Sequence, residues 1–233
     1  EKTELSIEGV HVVVRPNRLS LARVSVVRGD GALEGVPFID DYIASIEPVV
    51  DYLTEYSGIE PADLDPAQSR HNLVTLKTAY KKLRLLLDMG CIFVGHGLKK
   101  DFRIINILVP PDQVIDTVDL FHLKDRQRKI SLRFLAWYLL GEAIQTSSHD
   151  SIEDARTALL LYKKYLELTE KGIFQSILED IYAEGWRRNW KHSSSSQRST
   201  SAALMVAEEE KLDLLNRMHT TLRYARARAP GSW

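Results

Sequence analysis

One five-residue apolar run, Cys91-Ile92-Phe93-Val94-Gly95, constrains this chain more than any other feature, because segments of helical period flank it on both sides. Upstream, residues 72–90 put apolar side chains at 73, 76, 79/80, 83 and 86/87, the spacing of one helix face, and Gly90 marks the stop. Downstream, residues 98–109 read as a second helix, cut by Pro110-Pro111. A run that is apolar on both faces and too short for a helix reads as a strand covered on both sides, and flanking helices provide that cover.

The remaining segments fit the same plan. Residues 10–16 and 19–29 are rich in β-branched side chains, a Gly-Asp-Gly turn comes next at 29–31, and 36–44 reads as a third strand. Residues 47–58 read as a short helix closed by Gly58, and 58–69 as a loop with two prolines. Residues 113–121 begin as a short strand, with Asp116 or Thr117 placed to cap the segment after it. Helices are expected over 131–141, 151–168 and 173–190. Strands come first and alternate with helices later, so the expectation is an α/β fold, a mixed sheet flanked by helices, with no internal repeat. Residues 192–201 are a polar linker of low complexity, and 202–233 hold one more helical pattern with a basic end.

Composition narrows the function classes. With 233 residues the chain suits one large domain or a domain plus an appendage. Its formal net charge of −1 gives no global basic field, so any recognition of nucleic acid must be local. The single cysteine, Cys91, excludes a disulfide framework and points to a reducing compartment. No apolar run approaches the ~20 residues of a membrane-spanning helix, so no membrane association is expected. There is no signal-peptide pattern, and the chain begins with Glu1 rather than Met, so a processed or excised piece of a longer protein is expected.

Two acids stand where packing disfavours them. Asp154 shares a helix face with Ala158, Leu161 and Tyr165, beside a second apolar face of Ile152, Ala155 and Leu159. Asp101 falls in the stripe of Leu98, Phe102, Ile105 and Leu108 or Val109, one turn past the strand end. A buried carboxylate needs a cation or strong donors. One reading makes the two acids parts of a metal site for a hard cation such as Mg²⁺; the other makes them separate ion pairs with partners such as Lys99 or Arg133. Asp150 and Glu153 have capping-box spacing and need no further explanation. His149, just ahead of the helix, is either a surface residue or a general base, because imidazole titrates near neutral pH.

The segments "GHGLKKDF", "VIDTVDLFH", "SLRFLAWYLLG" and "HDSIEDARTALLLYKKYLEL", with "LSLARVSVVRG", "GVPFIDDYI" and "VVDYLTEYSGI", closely resemble the nuclease domains of poly(A)-nuclease (PAN) deadenylase catalytic subunits. These are DEDDh exonucleases of RNase-H-like fold, and the resemblance spans about residues 12–191. It implies 3′→5′ shortening of mRNA poly(A) tails by two-metal hydrolysis, with Mg²⁺ or, in its place, Mn²⁺. By motif, Asp101 and Asp154 become metal ligands, His149 the general base, and His96 a residue beside the substrate backbone. The implied partners are poly(A) RNA, an adaptor subunit and poly(A)-binding protein, and the implied place is the cytoplasm, including P-bodies.

One departure matters. The family's first motif, an Asp-x-Glu on the first strand, supplies two of its four acids, and "EKTELSIEGVHVVV" does not carry it. The first strand of the sheet is therefore expected to be missing, and residues 1–191 to form an incomplete nuclease domain of impaired activity. Two rivals stand beside the deadenylase: a non-catalytic domain that binds RNA or a partner, and a related nuclease acting on other RNA or DNA ends.

Overall fold

The alternation of β3 (Arg23–Val27) and β4 (Pro37–Ile43) decides which helix covers which face. The two strands pair antiparallel, with Val24 opposite Asp41, Ser25 opposite Asp40 and Val26 opposite Ile39. Directly opposed residues share a face, so Val24, Val26, Ile39 and Asp41 point one way and Ser25 and Asp40 the other. The structure is a computed structural model describing residues 19–45, 48–145 and 149–191, together with the strands β1 (Thr3–Ile7) and β2 (Val10–Val14), which pair antiparallel.

Further along lie two short helices, α1 (Thr54–Ser57) and α2 (Pro61–Leu64), then β5 (Leu73–Val74) and α3 (Leu76–Asp88). β5 pairs parallel with β4, giving a mixed three-stranded sheet in the order β3-β4-β5. β6 (Phe93–Gly95) leads into α4 (Leu98–Ile105), and β7 (Val114–Asp116) into α5 (Thr117–Leu120); β6 and β7 pair parallel with each other. The chain then forms α6 (Leu132–Leu135), which runs into a π-turn over Ala136–Leu140 closed by Gly141, then α7 (Ser151–Glu170) and α8 (Phe174–Arg187). The mixed sheet flanked by helices agrees with the expected fold class. Contacts divide the chain into Glu1–His192 and Ser193–Trp233. The expected linker and tail helix lie outside the described residues.

On one face of β3-β4, Val24 and Ile39 pack with Leu83 and Leu87 of α3 and Ile105 of α4. Asp41 on that face is 2% exposed; Lys82 of α3 donates to its two oxygens at 2.9 and 2.6 Å, and the Asn72 amide donates at 2.7 Å. A buried carboxylate is tolerated only when matched in this way. On the other face lies the start of α7: Arg23 reaches Asp150 at 3.4 Å, and the hydroxyls of Ser25 and Ser151 stand 2.5 Å apart. Further along α7, the Arg156 guanidinium donates to the Gly35 carbonyl at 2.7 Å, and Lys163 pairs with Glu34. α7 packs against both β3 and β6. Its apolar residues Ala158 and Leu161 enter the larger core, with Phe121, Phe134, Leu135, Leu178 and Ile181.

Several elements differ from expectation: α2 forms within the loop read over 58–69, β5 takes the start of the helix read over 72–90, and two other helices are cut short. The helix read over 47–58 shrinks to Thr54–Ser57, because the Asp51 carboxylate accepts from the Leu53 N–H at 2.8 Å and Leu53 turns to φ 50. The helix read over 98–109 ends at Ile105, where Asn106 adopts φ 58. That left-handed residue ends the turn, so Leu108 leaves the stripe and is 89% exposed.

Candidate active site

β6 and β7 end side by side, Gly95 opposite Asp116, and each passes directly into a helix. Helix N-termini leave backbone N–H groups unpaired and attract negative charge. Asp116 meets two of them at once. Its carboxylate accepts from Val118 N–H at 3.0 Å, capping α5, and from Gly97 and Leu98 N–H at 2.8 and 2.9 Å, at the start of α4. The cap role expected from the sequence therefore holds, and the same carboxylate also ties the two helices together. A side chain at Gly95 has no room, since a Cβ there would come within 2.5 Å of Leu98. The Thr117 hydroxyl donates to the Gly95 carbonyl at 2.9 Å and stands 2.9 Å from Nδ1 of His96.

This arrangement places His96 and Asp101. His96 is half-buried, and loss of hydration pushes its imidazole down, against the upward pull of the Asp116 charge. Asp101 sits in the first turn of α4. It is exposed rather than enclosed in the stripe, because α4 buries only Ile105. Surrounding protein still removes enough hydration to raise its carboxyl, the Asp116 charge raises it further, and Lys100 opposes both. Asp101 makes no hydrogen bond or ion pair among the described residues. Lys99, offered as a partner, pairs instead with Asp119 at 3.6 Å.

The second part of the site is the start of α7. Asp150 caps the helix by accepting from Ile152 and Glu153 N–H at 2.8 and 3.1 Å. The helix fixes Asp154, whose Oδ2 lies 3.3 Å from Nδ1 of His149. The predicted pair is thus brought together. Burial raises the Asp154 carboxyl, while the Gln145 hydrogen bond and His149 pull the other way. Gln145 was not legible in the sequence. It adopts φ 53, donates its backbone N–H to Glu153 at 3.1 Å and gives its amide to Asp154 Oδ1 at 2.6 Å. No Lys or Arg pairs with Asp101 or Asp154 among the described residues. Among the described residues Asp101 and Asp154 also share no partner; they are related through β6, which leads into α4 and packs against α7.

A strand-end site with one acid on α4, and a second acid beside a histidine on α7, defines a class. Residues 8–162 match the RNase_T exonuclease family, and the chain belongs to that family. Its exonucleases are in general dependent on divalent metal. Within the family, the chain is 60% identical over 199 residues to the PAN2-PAN3 deadenylation complex catalytic subunit of Schizosaccharomyces pombe, covering 85% of this chain and 18% of that protein. It is 55% identical over 207 residues to the Rattus norvegicus subunit, covering 85% and 17%. The chain thus spans under a fifth of the length of these relatives. Among solved structures, the Neurospora crassa Pan2 catalytic unit superimposes with a TM-score of 0.68 at 56% identity, over 78% of this chain and 29% of that one. The Saccharomyces cerevisiae Pan2 pseudoubiquitin hydrolase–exonuclease module in complex with A7 RNA gives 0.73 at 52% identity, over 76% and 30%.

Proposed function

We propose that this chain is the greater part of a deadenylase nuclease domain, which removes nucleotides from the 3′ end of poly(A) RNA. The observation that carries the reading is the His149–Asp154 contact at the start of α7, with Asp101 in no ion pair among the described residues. Two carboxylates raised by loss of hydration, and with no Lys or Arg in an ion pair among the described residues, are suited to a hard divalent cation, Mg²⁺ or Mn²⁺. Asp101 and Asp154 would hold it. Bound cations supply Lewis-acid activation of water and stabilise charge on the phosphodiester.

The chain's own residues do the rest. His149 takes the proton of the attacking water through Nε2, while the contact of Nδ1 with Asp154 fixes the ring's orientation. Gln145 holds the other Asp154 oxygen, so the carboxylate keeps one rotamer. His96, braced by Thr117, stands at the strand ends beside the substrate backbone.

The proposal requires two more acids, an Asp-x-Glu on a strand seated between β3 and β6. Among the described residues β3 pairs with β4 alone, β6 pairs with β7 alone, and α7 packs across both, which suits one strand between them. Assembly with an adaptor subunit and poly(A)-binding protein, and work in the cytoplasm, belong to the same proposal. A second reading, an RNA- or partner-binding domain without turnover, is favoured by one observation: no group of three or more His, Cys, Asp or Glu among the described residues could hold a metal ion.

Initial rates with Mg²⁺ on oligo(A), mixed-sequence RNA and single-stranded DNA test the substrate class. The deadenylase reading expects oligo(A) to be shortened fastest. Equal rates on all three would assign a general nuclease, and binding of oligo(A) without turnover by a chain carrying the Asp-x-Glu strand would favour the second reading.

A further inference from the structure

Away from the catalytic groups, the loop between α5 and α6 and the end of α8 form a basic, aromatic surface. Residues 122–133 and 184–191 carry eight Lys or Arg against two acids, in a chain of net charge −1. The two segments touch. The Tyr182 hydroxyl donates to the Arg128 carbonyl at 2.7 Å, and the Arg128 guanidinium lies over the Trp190 ring at 4.6 Å. Trp190 is locked in turn: it turns back at φ 59, its N–H donates to the Gly185 carbonyl at 2.7 Å, and the Phe134 ring stands 5.3 Å away.

On this base stands Trp186. Its ring meets Trp190 edge-on, at 6.0 Å and 70°, yet it is 61% exposed. With Asp125, Arg126, Gln127 and Arg128 it lines a shallow cleft. An exposed indole set edge-on against a second indole and beside guanidinium groups offers a free ring face on which a planar group can stack. The loop also leads back to the catalytic groups. It leaves α5, which Asp116 caps, and returns at Ile130, whose backbone acts on the His96 imidazole and raises it. Between these ends, Lys129 and Lys99 both pair with Asp119, at 3.4 and 3.6 Å, and Lys99 stands two residues before Asp101.

We propose that this surface is an auxiliary site for single-stranded RNA, one that holds nucleotides upstream of the 3′ end. Lys99, Lys129 and Arg126 track the phosphates, and Trp186 stacks on a base. Aromatic plates combined with a basic track are what sequence-tolerant binding of a single strand requires. The inference rests on the RNA reading of the nuclease site.

The test is fluorescence anisotropy of the full chain with 5′-labelled oligo(A), one oligomer just filling the nuclease site and one several times longer, without added metal. Wild type should bind the longer strand more tightly. Trp186→Ala should weaken the longer strand by about fivefold or more and leave the shorter one unchanged, a loss in the range of one base–aromatic stack. Trp186→Phe should restore most of it. Arg126→Ala should lower the salt slope for the longer strand by about 0.7. If wild type binds oligo(A) and neither variant differs from it, the auxiliary site is wrong and Trp186 faces a protein partner instead. If wild type binds no oligo(A) of either length, the RNA reading falls and this site falls with it.

Discussion

Replacing Asp116 by Ala should loosen the nuclease site without touching any proposed ligand. The carboxylate accepts three backbone N–H bonds, from Gly97, Leu98 and Val118, at 2.8 to 3.0 Å. Each is partly buried, so water can replace some of what is lost, and about 1 kcal/mol per bond is the appropriate scale. The sum, about 3 kcal/mol, corresponds to a fall in Tm of about 6–12 °C for a domain of this size. Asp116→Asn keeps one acceptor oxygen and should lose about half as much. Both variants remove the negative charge that helps to raise the Asp101 carboxyl, so Asp101 should ionise at lower pH than in wild type. Thermal melts monitored by circular dichroism give the first number, and amide exchange at Gly97 and Leu98 locates the damage. A Tm within about 2 °C of wild type for Asp116→Ala, with unchanged protection at those two amides, would refute the view that one carboxylate joins α4 to α5.

The same geometry sets other outcomes. Burial raises the Asp154 carboxyl, so its charged form opposes folding when no metal is present. Asp154→Asn should therefore melt no lower than wild type without metal, while metal-induced stabilisation disappears; a clear drop in the metal-free Tm would contradict this. Gln145→Ala removes the amide that lowers the Asp154 carboxyl, so loading with Mg²⁺, read by the shift in Tm, should require higher pH than in wild type. Gly185→Ala would drive a Cβ to within 2.5 Å of Trp190 and should cost about 1–3 kcal/mol in urea denaturation. Glu184 is held at about 2 by Arg187 and by Arg188, against burial. A folded value below the unfolded one contributes stability above the unfolded value that is lost as pH falls toward about 2. Wild type should thus lose stability relative to Glu184→Gln over that acid range, and parallel acid titrations of the two would rule it out.

Much of the architecture is written in short-range pattern. The helix at Leu76–Asp88 and the strand at Phe93–Gly95 are marked by period and by Gly90, and α7 by the capping acids and its apolar faces. Local competition hid other parts. Nothing in the period at 47–58 shows that the Asp51 side chain will capture Leu53 N–H and delay the helix. Nor does the stripe at 98–109 show that Asn106 will turn left-handed, which leaves Leu108 outside. Within the site, His149 and Asp154 are legible because five residues across a helix start bring them together. Gln145 is not, because its contact depends on how the loop ahead of α7 folds back on that helix. The double use of Asp116 is half visible: its cap on α5 is local, while its hold on Gly97 and Leu98 exists only once β6 and β7 pair.

The measurement that bears most directly on the proposed function is a gel assay of 5′-labelled oligo(A) with Mg²⁺. It would compare the chain as it stands, the chain extended by an upstream Asp-x-Glu strand, and that extended chain carrying Asp101→Ala or His149→Ala. The proposed function predicts stepwise shortening from the 3′ end by the extended chain, little by the unextended one, and loss of shortening in both variants. Undiminished shortening in the Asp101→Ala variant, or none by the extended chain, would contradict it.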